Sequence, residues 1–465
     1  MRALLRLILA LLLLGVIALG GAWFWAGRQA GPVIDIRQPK RFVGQTTPFE
    51  ASVTAAGGRF SRLDIVLEQG NQSFPLFALS DPQSGSYVTQ EGTDRVRVAR
   101  AIGKRDFPAL QSGPARIVVH AARPVLHNLR RASSTATREV EVRLTPPAVA
   151  VLSTFHYINH GGAEFVVFRA TPDDVEAGVR VGEVSYAAYP AAGAGIPGDK
   201  SIRVAFFGLL YDQDLNTPIS VYARDAAGNE VQTPLDHRPF QKPFLKSKFV
   251  LDDQFLRRVV PAIAATTPDM NLLTGPEDLL PSFLRINGEL RRRNNATIEK
   301  LGQSSKPEML WKEPFRPLLN AAVEARFADT RTYFYKGKEV DRQVHLGFDL
   351  AVTEKVPVTA AQRGFVIHAS DLGIFGNCVI LDHGLGVQSL YGHMSSIGVK
   401  VGDMVEPGQM LGRSGMTGLA GGDHVHFTML VGGHPVNAVE WWDSKWMNDR
   451  VFRKIREAGG SASTR

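Results

Sequence analysis

The sequence predicts a mainly β chain, with an apolar N-terminal transmembrane helix, two β-sandwich-like domains, a short helical segment and a C-terminal β domain. Three observations carry this reading. Short runs of alternating apolar and polar residues, broken by Gly, Pro and Ser clusters, recur from about Val33 onward. The period becomes helical between about Leu251 and Gly302. It then reverts to alternation in a Gly- and Val-rich region that closes on His424-Val-His426. The division that follows is 1–30 for a cytoplasmic N-terminus and membrane anchor, 31–146 for a sandwich-like domain and 147–240 for an immunoglobulin-like β domain. Residues 241–306 form a helical linker or cap, 307–448 the C-terminal domain and 449–465 a tail.

Leu7 to Ala26 is an uncharged run of twenty residues. At helical rise it reaches about 30 Å, the thickness of a bilayer's hydrocarbon core. Arg2 and Arg6 precede it, and Trp23 and Trp25 stand at its far end. That order places the N-terminus in the cytoplasm and an aromatic anchor at the opposite interface, so the bulk of the chain is expected outside the cytoplasm. A cleaved signal peptide is the alternative, but Ala22-Trp-Phe-Trp-Ala26 is a poor cleavage site.

From Val33 to Leu144, runs such as Leu63-Asp-Ile-Val-Leu67 and Ala115-Arg-Ile-Val-Val119 read as strands of a sandwich. Pro146-Pro147 marks its end. A second series includes Glu164-Phe-Val-Val-Phe168 and Ile202-Arg-Val-Ala-Phe-Phe207, and closes on Arg224-Asp-Ala-Ala-Gly-Asn229-Glu, where Asp and Gly-Asn supply turn chemistry. Both domains read as spacers or docking surfaces, since their titratable residues form no constellation. Asp252-Asp-Gln-Phe-Leu-Arg-Arg-Val-Val260 then has the acidic first turn and apolar spacing of a helix, and Gly275-Pro276 opens another. The run Arg291-Arg-Arg293 fits a solvated helix face or a contact to an anionic polymer. Tyr333 to Val340 reads as a hairpin with Lys336-Gly337 at its tip. Val399 to Gly412 reads as another, turning at Gly402-Asp403 and Pro407-Gly408.

Composition bounds the chemistry. The formal net charge of +8 suits a polyanionic partner. No recognition helix, RNA-binding signature or zinc finger accompanies it, so no nucleic-acid partner is expected. A lone Cys378 excludes an intrachain disulfide and reads as a small buried hydrophobe. Ser414 to Asp423 is glycine-rich but lacks the Gly-Lys-Ser/Thr ending of a phosphate loop.

The C-terminal region supplies His345, Asp349, His393, His424 and His426. In His424-Val-His426 the flanks read as a strand, so both imidazoles leave one face of the sheet. His345 and Asp349 are four apart around Gly347, and Phe348, Leu350 and Val352 alternate onward, which favours a bend into a strand over a helical turn. Such a supply of donors suits a zinc ion with three protein ligands and an open fourth position. His368, His383 and His434 fit no ligand position. Tyr391 is open between a hydroxyl in the groove and plain packing.

The order His345-Leu-Gly-Phe-Asp349, Tyr391-Gly-His393-Met and His424-Val-His426-Phe resembles the M23 (LytM-type, lysostaphin-like) zinc metallopeptidases, which cut peptide cross-links of bacterial cell walls. The likeness covers roughly residues 341 to 441. It implies a LytM-type antiparallel β peptidase domain, with His345, Asp349 and His426 as ligands of one Zn²⁺ and His393 and His424 as the catalytic pair. Two positions depart from the family's pattern. Thr428 stands where Glu is frequent, and Ala325-Arg326-Phe327 replaces a Ser-x-Phe-Gly entry strand.

The expected function is a zinc endopeptidase, anchored in the inner membrane with its bulk in the periplasm, that hydrolyses peptidoglycan cross-links. Its expected partners are peptidoglycan, the membrane, and cell-envelope proteins through the β domains. Two rivals share the residues. One is a non-catalytic LytM-type activator or scaffold for other wall hydrolases, which need not keep a complete ligand set. The other is a zinc protease acting on exported proteins.

Overall fold

Alternation at period two dominates the sequence, and strands dominate the computed structural model, which describes residues 2–351 and 353–460. Val352, read above as continuing an alternating run, and residues 461–465 of the tail lie outside the described residues. The chain forms two compact units, Met1–Pro147 with Arg224–Glu230, and Ala148–Ala223 with Val231–Arg465.

The first unit begins with a helix, Arg2–Gly27, of which Leu4–Gly27 is long and apolar enough to cross a membrane. Leu4 through Leu19 expose their large side chains, whereas Ala26 is buried against Val125 and Ala132. The guanidinium of Arg130 donates to the Trp23 carbonyl at 2.7 Å and lies 5.0 Å from the Trp23 ring centre. A sandwich follows. A four-stranded sheet contains Val33–Gln38, Thr47–Thr54, Val88–Gln90 and Arg95–Ile102, and a five-stranded sheet is centred on Gly113–Val125. Their alternate residues, among them Val53, Ile65, Val98 and Ile117, meet in one core.

In the second unit, Ala163–Thr171 and Ile202–Gly208 pair antiparallel and bury Phe165 and Phe206. Phe206 packs 6.0 Å from Trp311 and 5.5 Å from Trp441, so this β layer and the C-terminal region share one hydrophobic core. A buried aromatic of this size removes about 150–250 Å² from water, worth on the order of 4 kcal/mol before conformational entropy is counted. Residues of the stretch read as a tail close this core, since Val451, Phe452 and Ile455 are buried in it.

The helical segment begins as its acidic cap predicts. Asp252 accepts from the Phe255 N–H at 2.6 Å, and Asp253–Thr266 follows. The second helix starts at Leu279, past Gly275-Pro276, and runs through a π-helical turn, Ile286–Leu290, into Arg291–Gly302. A strand unread in the sequence, Lys246–Leu251, precedes these helices and pairs in parallel with Asp329–Tyr335. That strand and Lys338–His345 form the expected hairpin, with Lys336 and Gly337 both at positive φ in its turn.

The C-terminal domain is built on an eight-stranded sheet whose pairings are antiparallel, running through Ala322–Ala325, Phe348–Ala351, His424–Val431, Val387–Met394, Asn377–Asp382 and Gly364–Asp371. The Val399–Gly412 hairpin does not form. Met404–Val405 pairs with Gly364 and Phe365, whereas Met410–Arg413 joins Pro357–Thr359 and Ser396–Ile397 in a separate three-stranded sheet. Both turns exist, but each strand finds a more distant partner. Cys378 is buried, as its apolar neighbours predict.

Candidate metal centre

Strand pairing delivers the donors. The hairpin ends at His345, Leu346-Gly347 makes the bend, and Phe348–Ala351 sets Asp349 directly opposite His426. His424, two residues back on its strand, faces Ala351, and Gly392, just before His393, faces His426. All five predicted residues line one cavity of about 420 Å³. Gly347 is required by close approach, since a Cβ there would lie 2.5 Å from both His426 Nε2 and Thr428 Oγ1.

Three acceptor atoms converge. His345 Nε2 lies 2.9 Å from Asp349 Oδ1 and 3.0 Å from His426 Nδ1, and His426 Nδ1 lies 3.1 Å from the same carboxylate oxygen. The far side of each ring is already engaged. His345 Nδ1 donates to the Arg326 carbonyl at 3.1 Å, and His426 Nε2 donates to Thr428 Oγ1 at 3.0 Å, whose own hydroxyl donates to the Leu346 carbonyl at 3.0 Å. Those bonds fix the tautomers and turn two nitrogen lone pairs and a carboxylate toward one point. Such a set repels itself unless a cation lies among its members, so the donors fit a bound divalent metal.

Asp349 is held on its other side by Arg331, whose Nη2 donates to Oδ2 at 2.8 Å. Burial raises the Asp349 pKa, but His345, His424 and His426 together hold it well below the usual carboxylate range. His393 Nδ1 donates to the Thr417 carbonyl at 2.8 Å, and His424 Nδ1 to the Gly422 carbonyl at 2.9 Å, so both rings turn Nε2 inward. Their ring centres are 4.8 Å apart. His393 takes φ 64°, a left-handed conformation that costs a non-glycine residue on the order of 1 kcal/mol and is common at functional sites. Burial lowers the His393 pKa well below its ordinary value, with His424 and His426 adding to it. Burial also lowers that of His424, but the hydrogen bond and charge of Asp349 more than offset this and raise it.

Other sequence candidates lie elsewhere. Tyr391 is buried and its hydroxyl accepts from the Ala361 N–H at 2.8 Å and from Ser389 Oγ at 3.0 Å, so it packs the domain away from the cavity. His383 lies between the Arg363 carbonyl and Ser389 Oγ, and burial pushes its pKa down to about 4 although the bond to that carbonyl opposes this. Sequence reasoning missed Arg331 and saw Thr428 only as a departure from a pattern. Arg331 sits on the hairpin strand Asp329–Tyr335, whose sequence does not reveal its partner across the bend.

Residues 343–438 match the sequence profile of peptidase family M23. The chain is 28% identical over 163 residues to the peptidoglycan DD-endopeptidase ShyA of Vibrio cholerae, covering 35% of this chain and 34% of that protein. It is 35% identical over 97 residues to the DD-carboxypeptidase/endopeptidase Mpg of Neisseria meningitidis, covering 21% and 22%. The matches thus span about a third or less of these relatives' own length. A solved structure assigned to peptidase M23 from Pseudomonas aeruginosa aligns over 58% of this chain and 88% of its own, at 19% identity and a TM-score of 0.35.

Proposed function

We propose that this chain, whose residues 343–438 match peptidase family M23, is a membrane-anchored zinc endopeptidase hydrolysing the peptide cross-links of peptidoglycan. One observation carries the reading: three lone pairs, with tautomers fixed from behind, face a single point, and two further imidazoles stand beside it. His345 Nε2, His426 Nδ1 and Asp349 Oδ1 would hold the ion. Zinc supplies there a Lewis acid that makes water nucleophilic near neutral pH and polarises the scissile carbonyl.

The chain's own residues do the rest. Arg331 and Thr428 keep Asp349 and His426 from turning away. His393 and His424 present Nε2 to the reacting groups, where they receive the proton of the attacking water and stabilise charge on the carbonyl oxygen. The walls of Phe375 and Leu419 restrict water around them. The names of ShyA and Mpg support a wall peptide as the substrate, and the apolar helix Leu4–Gly27 supports an inner-membrane anchor with the remainder in the periplasm. The β domains are then surfaces for envelope proteins.

The test is digestion of purified sacculi by the detergent-solubilised protein, with and without a chelator, followed by identification of the released peptides. Chelator-sensitive loss of cross-links is expected. Intact cross-links after treatment with protein carrying stoichiometric zinc would sink the reading.

A further inference from the structure

The cavity that holds the metal centre extends to a wall where Phe255, Phe283 and Arg291 of the helices and Phe249 of the strand before them line it. Arg291 differs from its neighbours in the basic run. Arg292 and Arg293 are exposed, and Arg293 pairs with Asp269. Arg291 follows the π-helical turn Ile286–Leu290 and is half-buried against the cavity.

Its polar contacts are few. Nε donates to the Asn287 carbonyl at 3.1 Å and Nη2 to Asn287 Oδ1 at 2.6 Å. Asn287 is itself fully buried and donates to Asp341 Oδ2 at 2.7 Å, which fixes the side chain that orients the guanidinium. Among the described residues no carboxylate pairs with Arg291, while Arg331 in the same cavity is taken by Asp349. Burial lowers the Arg291 pKa and the charge of Arg331 adds to this, although Tyr333 and the charges of Asp341 and Asp349, neither paired with it, oppose the shift. Leaving a guanidinium so placed is costly, and a carboxylate that meets its free Nη1 side in a two-pronged contact offsets that cost.

We propose that Arg291 forms a carboxylate subsite of this cavity, which holds an acidic group of the peptide whose scissile bond lies at the metal centre. The proposal rests on the peptidase reading and deepens it. It makes the helical segment, outside the matched residues 343–438, a determinant of specificity: the preferred substrates carry a free carboxylate beyond the bond cut.

The test measures equilibrium binding to full-length zinc-loaded His393→Ala protein, in which turnover is blocked, with and without Arg291→Gln. The probes are cross-linked peptides released from sacculi, untreated or with carboxylates amidated. Short acetylated peptides with a C-terminal carboxylate, a C-terminal amide, or an amide plus a glutamate side chain tell the two sources of the acid apart. Untreated peptides should bind roughly 10- to 100-fold more tightly than amidated ones. Arg291→Gln should abolish that preference and leave zinc content unchanged, while Arg292→Gln keeps it. Equal binding of the two forms, a preference that survives Arg291→Gln, or no binding of either form overturns the subsite. The outcomes separate from the function itself. Sacculus cleavage without carboxylate preference leaves the endopeptidase and removes the subsite, and Arg291-dependent preference among acetylated peptides without sacculus cleavage does the reverse.

Discussion

Thr428 shows how one hydroxyl does the work of a larger acid. It accepts from His426 and donates to Leu346, so the imidazole is oriented although no carboxylate stands behind it. Thr428→Val keeps the volume and removes the hydroxyl. Zinc affinity should fall roughly 10- to 100-fold, as for other groups that orient a ligand, and Thr428→Ser should restore most of it, read by competition with a chelating dye. His345→Ala and Asp349→Ala should lose zinc altogether. His393→Ala should retain zinc by elemental analysis while cleavage falls by roughly 10²- to 10⁴-fold. At this scale the histidines and Asp349 were legible because their donor chemistry and spacing are local. Arg331 and Arg291 were not, since what distinguishes them from other arginines is a partner, or the lack of one, that only folding supplies.

Between elements, two buried acids join the second unit's β layer to its C-terminal helices. Lys454 donates to Glu164 at 2.8 Å and to the Phe165 carbonyl at 2.7 Å, with Lys454 and Glu164 side chains fully buried. Lys454→Met leaves Glu164 without its counter-ion and should cost about 3–5 kcal/mol in denaturant unfolding, much of it recovered by adding Glu164→Gln. Glu440 accepts from the Ala163 N–H at 2.8 Å and from Asn159 at 2.6 Å. Burial, aided by Glu164, pushes its pKa up from 4.5 to about 7 despite those bonds. An acid raised in the folded state binds its proton more tightly there, so its contribution is complete below pH 4.5 and is lost as pH climbs through about 7. Within that window stability should fall with a limiting slope of about 1.4 kcal/mol per pH unit, and Glu440→Gln should flatten the profile of Tm against pH. The helix cap at Asp252 and the Lys336-Gly337 turn were readable because both are decided within four residues. The Val399–Gly412 hairpin and the Lys246–Leu251 strand were not, because their pairing partners lie far along the chain.

For the molecule as a whole, alternation reports that a face is buried but not against what. Hence the sandwich of the first unit could be anticipated from its strands, while the common core from Ile158 to Ile455 in the second could not. Residues 307–460 alone would expose Trp311 and Trp441, which Phe206 otherwise covers, and should aggregate on expression. Residues 148–460, which keep that core, should unfold in one cooperative transition by calorimetry; two separated transitions would contradict a shared core.

The parallel strand Lys246–Leu251 runs beside the hairpin arm Asp329–Tyr335 in a register of six residue pairs, and the other arm of that hairpin ends on His345. A pull along the chain ahead of Lys246 therefore loads these rungs in shear, the geometry in which a ladder yields all at once rather than bond by bond. Tension arriving from that side enters at the rung Lys246–Thr330, next to the Asp329–His345 pair, so the strand end that carries the imidazole feels it first.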